Sequence, residues 1–167
     1  IAEKKIKQPF NRKFVLSSIN TSVNMRITVL FTLLMSISFC GFSQTNVLIS
    51  DGNVNTCLGS LFDSGGQGGT GYSDNESFTL TICPDNPNDI ITLDFLNFAL
   101  SAVSTANPNN ADNLTIYDGN TVTATTLGTY TGNQLQGILV SCTSLNTTGC
   151  LTLVFNSNDQ GTGVFAA

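Results

Sequence analysis

The chain has no histidine and no tryptophan, and its basic residues stop early. All six of them, Lys4, Lys5, Lys7, Arg12, Lys13 and Arg26, precede residue 27. From Gln44 onward there is no cation, while ten of the eleven acids (all but Glu3) lie there, so that stretch carries a formal charge of −10. Such a surface repels phosphate backbones, because nucleic-acid affinity is built mainly from lysine and arginine. It also repels anionic membrane faces. Without histidine or lysine, a serine or cysteine nucleophile has no ordinary base. Acid–base work would fall to facing carboxylates, as in glycoside hydrolysis, and no spacing marks Glu76 and an aspartate as such a pair. Helical periodicity of useful length is also missing.

One apolar run is present, and it reads as an export signal. Met25-Arg26 is a short basic lead, and Ile27 to Phe39 is an apolar segment too short to span a bilayer comfortably. Gly41 and Ser43 are small residues at the positions that direct cleavage, which is expected between Ser43 and Gln44. Residues 1–24 are then an upstream extension outside the mature protein, residues 25–43 the signal peptide and residues 44–56 an N-terminal strand or linker. The mature form retains no transmembrane anchor. Its four cysteines are Cys57, Cys83, Cys142 and Cys150. An even count in an exported chain points to disulfides. Three pairings are possible, and the sequence-local one, Cys57–Cys83 with Cys142–Cys150, is expected. Zinc is disfavoured, since there is neither a CxxC nor a histidine.

What fills the rest is strand pattern. Phe78, Leu80 and Ile82 alternate with polar residues, as do Ile91, Leu93 and Phe95. After Phe95 the alternation slips by one and continues through Phe98 and Leu100, which predicts a bulge. Leu114 and Ile116, then Ile138 and Val140, then Leu151, Leu153 and Phe155 repeat the pattern. Between them stand turn formers: Pro84 to Pro87, Asp118-Gly119-Asn120, Thr131-Gly132-Asn133 and Asn156 to Asn158. Short strands at this spacing predict a β-sandwich. Residues 99–111 read as a long connection, the kind of loop that often binds.

Two motifs call for chemistry. Gly66-Gln67-Gly68-Gly69-Thr70-Gly71 has the letters of a dinucleotide loop, but a strand pattern follows it where a helix is required, so nucleotide binding is rejected. Asp63, Asp74, Asp112, Asp118 and Asp159 lie in or near turns, where several hard oxygens could gather around calcium.

From Cys57 to Ala167 the chain resembles a CUB domain. Tyr72 to Ile82 is similar to the family's tyrosine-led entry into its first long strand. Ile91 to Leu100 resembles the next strand with its paired phenylalanines, here Phe95 and Phe98. Asp112-Asn-Leu-Thr-Ile-Tyr-Asp-Gly119 is the most specific match, to the pattern D-x-L-x-I-Y-D-G. Leu151 to Asp159 and Gly161 to Ala167 look like the closing strands. The resemblance implies an all-β, antiparallel, jelly-roll-like sandwich over 57–167. It implies an extracellular, non-catalytic module that recognises a protein or carbohydrate, within a larger secreted or cell-surface bacterial protein whose flanking domains lie beyond this chain. Departures matter. Phe78 stands where the family has its second cysteine, which leaves that role to Cys83, and the second disulfide's usual positions are empty. Calcium-binding members carry a Glu, an Asp and an Asp at positions that here hold Ala99, Asp112 and Asn158, the last followed by Asp159. Asp112 and Asp159 are therefore the candidate ligands for Ca²⁺, the one cofactor implied. The rival functions are a structural spacer and a carboxylate-based hydrolase.

Overall fold

The structure, a computed structural model, describes residues 44–102 and 111–167. The extension and export signal expected over 1–43, and the middle of the 99–111 connection, lie outside the described residues. Eleven strands and no helix occur among those described. They are β1 (Thr45–Leu48), β2 (Gly52–Asn55), β3 (Gly59–Phe62), β4 (Ser77–Cys83), β5 (Thr92–Asp94), β6 (Asn97–Ala99), β7 (Asn113–Asp118), β8 (Thr125–Tyr130), β9 (Leu139–Ser141), β10 (Leu151–Asn156) and β11 (Val164–Ala166). No helix among them is long and apolar enough to cross a membrane.

One sheet has the order β2-β4-β10-β7-β8. The other runs β1-β3-β11-β6 and is prolonged by the ribbon β5-β9, because β5 and β6 are two halves of one run. The break falls at Phe95-Leu96, where the Leu96 N–H turns back to the Asp94 carbonyl at 2.9 Å. That is the bulge the slipped alternation predicts, and it lets both Phe95 and Phe98 point inward, each at 0% exposure. The layers close on aromatic contacts. Phe155 of β10 meets Phe165 of β11 at a ring separation of 5.3 Å and Tyr72 at 4.8 Å, and Phe98 lies 6.3 Å from Phe165. These separations are in the range where ring pairs add to simple area burial.

Leu80, Ile82, Ile91, Leu93, Leu100, Leu114, Ile116, Val140, Leu151 and Leu153 all enter the core as their alternation predicts. Ile138 does not, being 47% exposed. It sits before β9 in a turn, its N–H bonded to the Leu135 carbonyl at 2.9 Å, and Leu135 is buried from that turn. The sandwich is antiparallel except at its start, where β1 pairs with β3 and β2 with β4 in parallel. Residues 44–56 supply one strand to each layer. The chain crosses between layers after β1 and again after β2, so strands of like direction can lie side by side.

The disulfide expectation is corrected. Cys83 is bonded to Cys150, and Cys142 is a free, buried thiol; Cys57 is itself disulfide-bonded. The local pairing fails because β9 and β10 are not a hairpin. β9 pairs with β5, whereas β10 pairs with β4 and β7. The antiparallel register sets Leu151 opposite Ile82, so the next cross-strand position brings Cys150 to Cys83, with Cα atoms 4.2 Å apart.

Candidate functional site

At one end of the sandwich the strand ends are tied by a buried polar knot. Asp112, at 0% exposure just before β7, accepts a hydrogen bond from the Tyr72 hydroxyl at 2.6 Å and another from the Asn158 N–H at 2.8 Å. The Tyr72 oxygen in turn accepts from the Ser101 N–H at 2.8 Å. Four separate segments, those before β4, after β6, before β7 and after β10, thus meet on one carboxylate and one phenol. Burial, then the bond to Asp112, raises the pKa of Tyr72 well above the ordinary tyrosine value, so it stays a donor.

Two neighbouring acids are also engaged. Asp63, 4% exposed, accepts from the N–H groups of Gly65 and Phe165 at 2.9 and 3.0 Å. Glu76 accepts from the Ser64 hydroxyl and the Ser73 N–H. Asp159 projects into solvent beside Asn158. Asp112 and Asp159 therefore stand in adjoining segments, but the first spends both oxygens on neutral donors and the second faces outward. Among the described residues no group of three or more acids, cysteines or histidines is placed to hold a metal. The glycine loop 65–71 opens no helix; Gly71, at φ 96°, is packed so that a Cβ would meet the Gly163 carbonyl at 1.9 Å.

The opposite end holds the disulfide. There Asp118, at the end of β7, receives the Thr143 N–H at 3.1 Å, the Thr143 hydroxyl, and Asn146 Nδ2 at 2.8 Å. Partial burial works against its charge, yet these donors together lower its pKa below the ordinary value. The carboxylate therefore pins the loop leading into β10, a larger role than supporting its own turn with Gly119. Cys142 lies near, its Sγ 3.2 Å from the Gly149 carbonyl. Burial raises its pKa, with the charge of Asp118 adding to the effect, and a thiol so placed is unreactive.

Also at this end is a cleft of about 530 Å³ between β3 and β5, within the range of small-ligand sites. Its floor is Val47, Leu61, Ile82, Ile91 and Leu93, all buried. Leu58 and Ile90, each 55% exposed, stand at its mouth with Asp89. Leu58 and Ile90 carry no alternation, so sequence pattern does not single them out.

No family profile matches the chain, and no characterised protein matches it in sequence. Among solved structures it is similar to the full extracellular region of zebrafish Gpr126/Adgrg6, at 18% identity and TM-score 0.48, over 74% of this chain and 14% of that one. It is also similar to the CUB1-EGF-CUB2 domains of rat MASP-1, at 16% identity and TM-score 0.48, over 73% of this chain and 41% of that one.

Proposed function

We propose that the domain is an exported, non-catalytic recognition module of CUB-like architecture, one unit of a larger secreted or cell-surface protein, whose ligand is an extracellular protein or carbohydrate. The observation that carries this reading is the cleft: a preformed, largely apolar recess on a domain whose buried carboxylates are all occupied in holding loops. Two supports stand beside it. The Cys83–Cys150 disulfide suits an oxidising compartment. The stretch from Gln44 onward has no lysine, arginine or histidine to serve as base or to hold an anionic substrate. Asp112 in this reading ties the loop ends together through Tyr72 and Asn158.

The test is binding by the full chain, immobilised and offered a glycan array and a panel of extracellular-matrix and surface proteins. A saturable ligand is expected, lost in Leu58→Asp and in Ile90→Asp, with unchanged circular dichroism. Silence on both panels from correctly folded protein would assign a spacer role and end the recognition reading.

A further inference from the structure

The outer face of the five-stranded sheet is polar but uncharged. Leu80, Leu114, Ile116, Leu153 and Phe155 turn into the core, so the residues between them turn outward. One row across the strands is Thr79, Val154, Thr115 and Thr129, from β4, β10, β7 and β8. On one side of it Ser77, Asn156 and Asn113 stand in line, and on the other Tyr117 lies opposite Thr126. Ser77, Thr79, Thr126 and Thr129 are exposed, and the others are partly buried. Further along, Thr81 and Thr152 are buried against each other, and the Thr152 hydroxyl donates to the Gly119 carbonyl at 2.8 Å. Four strands about 4.8 Å apart give a band about 14 Å across.

The stretch from Gln44 onward holds ten acids, yet none occupies this band. Asp51, at the β2 edge, takes the Thr79 N–H at 2.7 Å, and Asp118 turns to Thr143 and Asn146. A face that served only solubility would draw on charge, which makes up about a quarter to a third of a typical surface. A protein-binding face would have an apolar, aromatic centre, and here Val154 and Tyr117 stand among hydroxyls and amides. Those groups both donate and accept. Ser77 Oγ donates to Asn156 Oδ1 at 2.8 Å, and the Thr115 and Thr129 hydroxyls lie 2.9 Å apart. Each pair is thereby held in place while keeping capacity for further bonds. An ionic ligand finds no counter-charge here, whereas a neutral polyol finds donors and acceptors in rows.

We propose that this band is a second binding surface, for a neutral polysaccharide lying across β4, β10, β7 and β8. Tyr117 takes the C–H groups of one sugar ring on its electron-rich face. The threonine row and the Ser77–Asn156 pair exchange hydrogen bonds with hydroxyls of neighbouring rings. Pairing between the side chains lowers the ordering cost of binding. The band is apart from the cleft, whose floor includes Ile82, turned to the opposite face of the same sheet. The inference therefore goes beyond the cleft reading and does not rest on it.

The test titrates cellohexaose, laminarihexaose, mannohexaose and maltohexaose into the isotope-labelled full chain and follows its amide resonances, with hexagalacturonate as the charged counterpart. Saturable shifts are expected at Thr79, Thr115, Tyr117 and Thr129 with at least one neutral hexasaccharide and not with hexagalacturonate. Tyr117→Ala should weaken binding roughly tenfold, the loss of one ring contact. Thr79→Val with Thr129→Val avoids any folding defect, since valine matches threonine in shape and favours strands; it should also weaken binding several-fold. No shift from any neutral hexasaccharide, equal binding of hexagalacturonate, or full affinity in the double valine variant overturns the band. Shifts at Leu58 and Ile90 in place of the band also overturn it, but leave the cleft reading standing. A ligand lost in Tyr117→Ala and retained in Leu58→Asp supports the band alone.

Discussion

Removing the Cys83–Cys150 bridge should cost far more than removing the free thiol beside it. The two half-cystines are 67 residues apart in sequence. In the chain-entropy account, a loop of that length constrains the unfolded state by about 4 kcal/mol. The double substitution Cys83→Ala with Cys150→Ala is the right perturbation, since a single one would leave a thiol next to Cys142. Cys142→Ala alone removes one buried sulfur, comparable to a methylene, on the order of 1 kcal/mol. Urea unfolding of the two variants against the parent reads the difference in free energy extrapolated to water, with a steeper slope expected for the double variant because its unfolded chain is no longer cross-linked. A non-reducing digest with mass spectrometry should give a fragment joining β4 to the start of β10. A Cys142–Cys150 fragment, or a larger loss from Cys142→Ala than from the double variant, would refute the register argument that places Cys150 opposite Cys83.

Tyr72→Phe should destabilise by about 1–3 kcal/mol, because it leaves the Asp112 carboxylate and the Ser101 N–H short of a buried partner; thermal or urea unfolding checks this. The folded pKa of Tyr72 is raised, so its contribution is complete below the unfolded value near 10 and is lost as pH climbs above it. Spectrophotometric titration should show one tyrosine ionising only with unfolding. Asp118 shifts the other way. Its contribution is present above the unfolded value of about 3.9 and disappears as pH falls through the lower folded value, so Asp118→Asn should flatten the acid limb of the stability profile. The melting temperature should be the same in millimolar calcium and in chelator; a rise with calcium that Asp112→Asn abolishes would restore a metal role to that carboxylate.

Alternation of Leu80 with Ile82, of Leu151 with Leu153 and Phe155, and the slip after Phe95, specified strand faces and a bulge, because burial of one face of a strand imposes a period of two residues wherever it occurs. The charge asymmetry was equally plain in the residue string. Strand β8 was not, since its Thr-Thr-Leu-Gly-Thr-Tyr edge has no fully buried residue and carries no apolar period. Residues 45–55 gave no sign that β1 and β2 belong to opposite layers. Nor could spacing reveal that Cys142 is left over or that Asp112 is consumed by Tyr72. Each of these depends on which strands become neighbours and in what register. That is settled by contacts between residues tens of positions apart, about which local pattern carries no information.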